Sequence, residues 1–296
     1  MSKTGPFNIA SSDSQPKGKL GTEIPSETTT DAREAAFSSP KGHADYSPDE
    51  SLESVILPVG EDLAVDVLAV GAHPDDVELG VGGLLHKLAH LGHRTAILDL
   101  TRGEMGSRGS VEERMAEAKA AAAILGVVRR ANAGLPDSAL ANTHEFRLRI
   151  IPFIRAFRPQ IVLAPMDNDR HPDHSAAHRL VREAAYFAGL ARIDTEQEPH
   201  RPPIIYFYHP YREEGMPSWI VNVSDDFEAK LDALRAYASQ FFNPAYPGPE
   251  THISGKAFWE SIQTRAAYWG SRIGASYGEA FYAEGPIGIG LLPGLE

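Results

Sequence analysis

Two short stretches hold the residues best suited to chemistry: Ala72-His73-Pro74-Asp75-Asp76-Val77-Glu78 and His171-Pro172-Asp173-His174. Each mixes imidazole and carboxylate groups. A catalytic zinc ion commonly takes three protein ligands of these types and keeps one position for water. His73 and Asp76 stand three residues apart around a turn, and one residue of the second stretch would complete two imidazoles and one carboxylate. A second carboxylate and a second imidazole are then left over. Hydrolysis uses both: a carboxylate accepts a proton from the attacking water, and an imidazolium stabilises an oxyanion or protonates a leaving amine. Pro74 fixes one φ angle and removes a donor, so Asp75 and Asp76 are expected to point in different directions. Spacing leaves open which of the two binds metal. The plainer reading is a turn in which Asp caps a helix beside an idle His. The occurrence of two such stretches weighs against it.

The elements around them explain their placement. Val67 to Ala72 is a continuous apolar run, suited to a strand buried on both faces. Val77, Leu84, Leu85, Leu88 and Leu91 then follow a helical spacing. Residues 95–100 read as a second strand, 101–110 as a polar Gly-containing loop, and 111–125 as an Ala-rich helix stopped by Gly126. Residues 143–157 predict another helix. Gln160 to Ala164 is a further buried strand, leading through Asp167-Asn168-Asp169-Arg170 into the second stretch and a helix to about Gly189. Ile204–Tyr208 and Trp219–Val223 read as strands, and 225–240 and 254–273 as helices. This alternation predicts a Rossmann-like, doubly wound α/β fold with a mainly parallel sheet and helices on both faces. Both chemical stretches follow core strands, so both should lie on one rim of the sheet, where ligands bind in such folds.

Residues 1–60 differ. They are polar and show no apolar periodicity, so they read as a flexible extension with a candidate docking segment at Val55-Ile56-Leu57. The working domain is 61–296. With no cysteine in 296 residues, a metal must be held by His and carboxylate. A net charge of −12 argues against nucleic acid as the main partner. No long apolar run predicts a membrane span, and no apolar leader is evident, so a cytoplasmic location is expected.

At these motifs the chain resembles the LmbE/PIG-L family of zinc-dependent N-acetylglucosaminyl deacetylases, over roughly Asp66 to Pro286. Thr101-Arg102-Gly103-Glu104-Met105-Gly106-Ser107-Arg108-Gly109 is similar to the bacillithiol-biosynthesis branch, as are Trp259 to Ala266 with Tyr268 and Gly270, and Tyr277-Gly278-Glu279. The resemblance implies that His73, Asp76 and His174 hold Zn2+, that Asp75 is the general base, and that His171 polarises the amide carbonyl or stabilises the oxyanion. It implies that Asp173 orients a histidine. Arg114, and with it Arg108 and Glu104, would contact the substrate, a guanidinium fork suiting malate carboxylates or sugar hydroxyls. The implied reaction takes N-acetylglucosaminyl-malate to glucosaminyl-malate and acetate, in a homo-oligomer. Alternatives are a deacetylase acting on a mycothiol-type, chitooligosaccharide or antibiotic-precursor amide, and a non-catalytic zinc protein of the same fold. Iron or manganese would also suit such ligands.

Other signals have simpler readings. Glu104 and Arg108 could be a surface pair, and Arg114 could pair with Glu117 on a solvated helix face. Gly80-Val81-Gly82-Gly83 fails the dinucleotide pattern because Leu85 stands at the last glycine position, so it reads as close helix–sheet packing. His86, His90 and His93 read as surface histidines, since no Glu follows His86 in H-E-x-x-H order. Tyr206, Tyr208, Tyr211, Phe241, Phe242 and Trp259 read as packing residues. His209 is a candidate lining residue.

Overall fold

The structure is a computed structural model and describes residues 63–211 and 215–288. The extension read over residues 1–60, with its docking segment, lies outside the described residues. Five parallel strands form the main sheet: β1 (Val67–Gly71), β2 (Thr95–Asp99), β3 (Arg129–Asn132), β4 (Ile161–Pro165) and β5 (Ile204–Tyr208). Their order is β3-β2-β1-β4-β5. The connecting helices are α1 (Asp76–His90), α2 (Val111–Ile124), α3 (His144–Phe157) and α4 (Pro172–Phe187). A two-stranded antiparallel sheet, β6 (Trp219–Asn222) with β7 (Gly278–Phe281), joins α5 (Phe227–Ala236) and α6 (Lys256–Ser271). An antiparallel bridge between Phe207 and Tyr282 ties that ribbon to β5. None of the described helices is long and apolar enough to cross a membrane.

The expected doubly wound α/β fold is therefore the observed one. Side-chain alternation along β1 shows why both sheet faces are covered. Leu68 and Val70 pack with Ile150, Ile154, Leu180 and Val181 of α3 and α4. Val67 and Ala69 pack with Val77, Val81 and Leu85 of α1 on the other face. Strand order reverses direction between β1 and β4, and a crevice opens there at the carboxyl ends of the strands. The loops after β1 and β4 are the two stretches singled out by their chemistry.

Two strands differ from the sequence expectation. β3 is Arg-Arg-Ala-Asn, a half-buried edge strand with almost no apolar signal. β7 lies in a stretch with no alternating pattern. The helix expected over 225–240 runs only from Phe227 to Ala236.

The glycines of α1 serve packing. A Cβ on Gly80 would lie 2.1 Å from the Tyr208 ring, and one on Gly83 would lie 2.9 Å from Val223. Val81 leaves helical geometry (φ −136°, ψ 17°), so α1 is kinked. At the kink Glu279 of β7 accepts hydrogen bonds from Gly83 N (2.9 Å) and Leu84 N (2.8 Å), and Lys230 of α5 donates to the same carboxylate. The side chain thus satisfies amides that the kink releases. Replacing Gly80 by Ala should destabilise the fold by about 1–3 kcal/mol through overpacking against Tyr208. A chemical-denaturation midpoint equal to that of the parent would contradict this packing account.

Candidate active site

All five strands of the main sheet send residues to one rim. The loop after β1 supplies His73, Asp75 and Asp76, and the loop after β2 supplies Glu104 to Arg108. The segment after β3 brings Asp137. The loop after β4 brings Asp169, Arg170 and His171, with Asp173 and His174 in the first turn of α4. His209 and Tyr211 follow β5.

Asp75 occupies the N-cap position of α1 but makes no capping bond. Its φ of 117° lies in the left-handed region that non-glycine residues avoid. Such strain persists where surrounding contacts impose it, and it turns the carboxylate away from the helix amides. One oxygen instead accepts Arg114 Nη2 at 2.6 Å, and the other is buried without a hydrogen-bond partner. The helix-cap reading of this Asp is therefore not the observed one. Asp76 Oδ2 accepts the His73 amide at 2.8 Å, which closes the turn. Its Oδ1 lies 3.1 Å from His174 Nε2.

His174 is fully buried. Its Nδ1 lies 3.1 Å from Asp169 Oδ1, and its ring stacks on Tyr211 at 5.0 Å between centroids. His73 stands among three carboxylates: Nδ1 is 3.4 Å from Asp76, while Nε2 is 3.1 Å from Asp137 and 3.3 Å from Asp173. Asp173 also accepts the amides of Ser138 (2.8 Å) and Leu140 (3.3 Å), which fixes its position beside His73. His171 is the N-cap of α4, where its Nδ1 accepts the Asp173 amide at 3.3 Å. A neutral His171 that accepts at Nδ1 must carry its proton on Nε2.

The charges reinforce these roles. Burial is the largest influence on Asp75; with Asp76 and Glu78 it lifts the carboxyl to about 7, against the pull of Arg114. Burial opposes protonation of His174, but Asp76 and Asp169 outweigh it and raise the ring to about 9. Burial also opposes protonation of His73, and its bonds to Asp137, Asp173 and Asp76 overcome that. His171 moves the other way: burial and the neighbouring His73 and His174 hold it below the usual histidine value. The surrounding carboxylates thus favour the charged forms of His73 and His174, while His171 is held toward its neutral form.

A divalent ion fits these residues. Asp76 Oδ1 and His174 Nε2 are buried, close together, and without hydrogen-bond partners. Buried polar atoms in native proteins are normally satisfied, so such a pair is explained by a cation between ligands. His73, His171 and His174 also each offer a ring nitrogen within 4.8 Å of the others. Imidazole and carboxylate donors suit zinc or a neighbouring first-row ion. Asp169 supplies the carboxylate that such an imidazole requires behind it. Asp169→Asn should weaken metal retention about 10- to 100-fold, read by chelator competition. Unchanged retention would remove Asp169 from this role.

The residues expected to touch substrate divide. Arg114 is buried, donates to Pro74 O and Asp75, and lines a cavity of about 230 Å3 together with His73, Asp137, Arg170, His171 and Tyr211. Its pairing with Glu117 does not occur; Glu117 instead accepts from Ser239. Gly103, at φ +69°, lets the loop approach this guanidinium, since a Cβ there would sit 2.7 Å from Arg114 Nη1. Arg108 does not line the cavity. It donates Nε to Ser239 O (2.6 Å) and Nη1 to Pro249 O (3.0 Å), and it stacks over Tyr246. It anchors the rim loop rather than presenting a free fork. Glu104 likewise turns to backbone, accepting the Asp137 amide at 2.7 Å and the Arg102 amide at 3.2 Å. It positions Asp137 and is not paired with Arg108.

Asp137, Asp169 and Arg170 stand at the site without having been singled out in the sequence, and Tyr211, read there as a packing residue, lines the cavity and stacks on His174. Asp169 and Arg170 lie within two residues of His171, so adjacency was an available signal. Asp137 follows a strand with no apolar pattern and had none.

A family model described as PIG-L: GlcNAc-PI de-N-acetylase matches residues 68–185. The chain is 34% identical over 245 residues to the diacetylchitobiose deacetylase of Thermococcus kodakarensis, covering 77% of this chain and 84% of that protein. Among solved structures, the conserved protein TT1542 from Thermus thermophilus superposes with a TM-score of 0.70 at 40% identity, covering 76% of this chain and 97% of the other. The N,N'-diacetylchitobiose deacetylase of Pyrococcus horikoshii, in complex with an inhibitor, superposes at 0.63 with 28% identity, covering 74% and 83%. The chain belongs to the PIG-L family of de-N-acetylases, hydrolases of amide C–N bonds.

Proposed function

We propose that this chain removes the acetyl group from an N-acetylglucosamine conjugate, with a zinc ion held by His73, Asp76 and His174. The observation that carries the reading is a cavity lined by His73, His171 and Arg114, with Asp75 buried directly behind it on Arg114 at 2.6 Å. Two unlike proton carriers, Asp75 with a carboxyl near 7 and His171 with its proton on Nε2, thus flank the candidate metal ligands. When bound, the ion would polarise the attacking water and the amide carbonyl. Asp75 accepts the proton of that water, its orientation set by Arg114. The water oxygen bonds to the acetyl carbon, and His171 Nε2–H donates to the developing oxyanion. The C–N bond then breaks. The nitrogen leaves as an amine after receiving a proton from one of these two carriers, the Asp75 carboxyl that took the water proton or His171 Nε2–H, since an amine anion is a poor leaving group. Asp173 and Asp137 hold His73 in place.

The finer proposal is that the conjugate is N-acetylglucosaminyl-malate. The loop Thr101 to Gly109 supports it by its likeness to the bacillithiol branch, and Arg170 at the cavity supplies a guanidinium for a carboxylate. The similarity to diacetylchitobiose deacetylases favours a second reading, in which a second sugar replaces malate. The test is acetate release by the zinc-loaded chain from N-acetylglucosaminyl-malate, N,N'-diacetylchitobiose and free N-acetylglucosamine in parallel. Fastest release from the malate conjugate supports the finer proposal. Fastest release from the disaccharide replaces it, and release from none, with zinc bound, removes the sugar-conjugate reading.

A further inference from the structure

We propose that the far end of α1 carries a second metal site, with Nε2 of His86 and of His90 as the protein ligands and Asp226 of the α5 N-terminus as the carboxylate that orients His86, for a divalent ion of the zinc, nickel or copper kind. It is separate from the first site: none of its residues lines the catalytic cavity, and ten helical residues, about 15 Å, separate Asp76 from His86.

The sequence places the two histidines at i and i+4, one above the other on a helix face. Their rings lie 4.1 Å apart between centroids. Tertiary structure adds what the sequence spacing lacked, a carboxylate from 140 residues away: His86 Nδ1 lies 2.8 Å from Asp226 Oδ1. His90 Nδ1 lies 3.0 Å from the His86 carbonyl oxygen. A carbonyl only accepts, so His90 Nδ1 is the protonated nitrogen and its Nε2 keeps a lone pair. The carboxylate imposes the same tautomer on His86. Both rings are therefore oriented by hydrogen bonds at Nδ1, with Nε2 left as the ligand atom, the arrangement usual for metal-bound imidazoles. One donor atom from each of the three residues lies within 4.8 Å of the others.

The donor set selects the ion. Two imidazoles favour borderline first-row ions over calcium or magnesium, which prefer several oxygens. Asp226 Oδ1 is taken by His86 Nδ1, so Asp226 acts as an orienting partner. Lys87 Nζ donates to Asn222 O at 2.9 Å and stands 3.9 Å from Asp226 Oδ2, a charge pair beyond hydrogen-bond distance. The side chain of His86 is 18% exposed and His90 is exposed, so the site opens to solvent and would be the weaker of the two. An ion here would fasten α1 to α5, the helix that holds Lys230 against Glu279 at the α1 kink.

The experiment is calorimetric titration of the metal-stripped full-length chain with Zn2+, repeated with Ni2+. Two classes of site are expected. His90→Ala, on an exposed helix face where Ala is well tolerated, should abolish the weaker class and leave the tighter class and deacetylase activity unchanged. Asp226→Asn should weaken that class about tenfold. His174→Ala should abolish the tighter class only. A single class lost in His174→Ala and retained in His90→Ala overturns the proposal. A single class with the opposite pattern supports it and removes the metal-ligand role proposed for His174. A weaker class that persists unchanged in His90→Ala also overturns it.

Discussion

Asp75→Asn should lower deacetylase turnover by about 10²- to 10⁴-fold, the usual contribution of a positioned general base, while leaving metal content unchanged. Asparagine keeps the volume of the side chain and an oxygen for the 2.6 Å contact from Arg114 Nη2. It cannot take a proton. The left-handed backbone at this position (φ 117°) suits Asn at least as well as Asp, so the fold should tolerate the exchange. The measurement is kcat beside metal content by elemental analysis. Near-normal turnover would show that another group takes the proton. Loss of metal along with turnover would show that Asp75 helps hold the ion, and Asp76 would no longer be the sole carboxylate ligand of this loop.

Arg130→Met should destabilise the protein by about 3–5 kcal/mol, because it leaves buried carboxylates without their partner. Arg130 comes from the inconspicuous strand β3. It donates Nε and Nη2 to Asp99 at 2.8 and 2.9 Å, Nη2 to the Tyr237 hydroxyl at 2.9 Å, and Nη1 to Glu78. Tyr237 in turn donates to Glu78 at 3.0 Å. Asp99 and Glu78 are both 0% exposed. The network joins β2, β3, α1 and α5 directly behind the loop that carries Asp75 and Asp76.

The pH dependence gives this prediction a second readout. Burial already raises the Asp99 carboxyl above its ordinary value, and Arg130 pulls it down. Without Arg130 the carboxyl should rise further. A carboxyl raised in the folded state makes folding less favourable above its unfolded pKa, and the penalty shrinks as pH falls through the raised folded value. The stability gap between Arg130→Met and the parent should therefore narrow as pH falls from 7 toward the ordinary carboxylate range. A gap that stays constant with pH would mean that lost packing, not stranded charge, causes the destabilisation.

The rim loop Thr101 to Gly109 shows how residue type can point to a ligand while geometry assigns scaffolding. Arginines in a loop at the active rim are reasonable substrate contacts. Arg108 nevertheless finds two backbone carbonyls and a tyrosine face, and these hold the loop against the segment around Ser239 and Pro249. Arg114, one turn into α2, reaches the site instead and holds Asp75. Arg170 lines the cavity from the other side of the sheet crevice, next to His171.

Local sequence was enough to determine the parallel α/β frame and the two chemical stretches. The reason is physical: doubly buried strands such as Val67 to Gly71 and Ile161 to Pro165 must be apolar throughout, and the turns that follow them must leave the sheet at its carboxyl edge. The joint placement of His73, Asp76 and His174 follows from that topology once β1 and β4 are neighbours. Tertiary structure alone decided the rest. Edge strand β3 needs no apolar pattern, so its arginine network and the Asp137 that follows it were hidden. Whether Asp75 caps a helix or turns to Arg114 depends on a backbone angle imposed by packing, and whether His86 is an idle surface ring depends on Asp226, 140 residues away. Side chains of the same type take opposite roles according to which partner the fold brings within hydrogen-bonding reach, and residue type and spacing do not encode that distance.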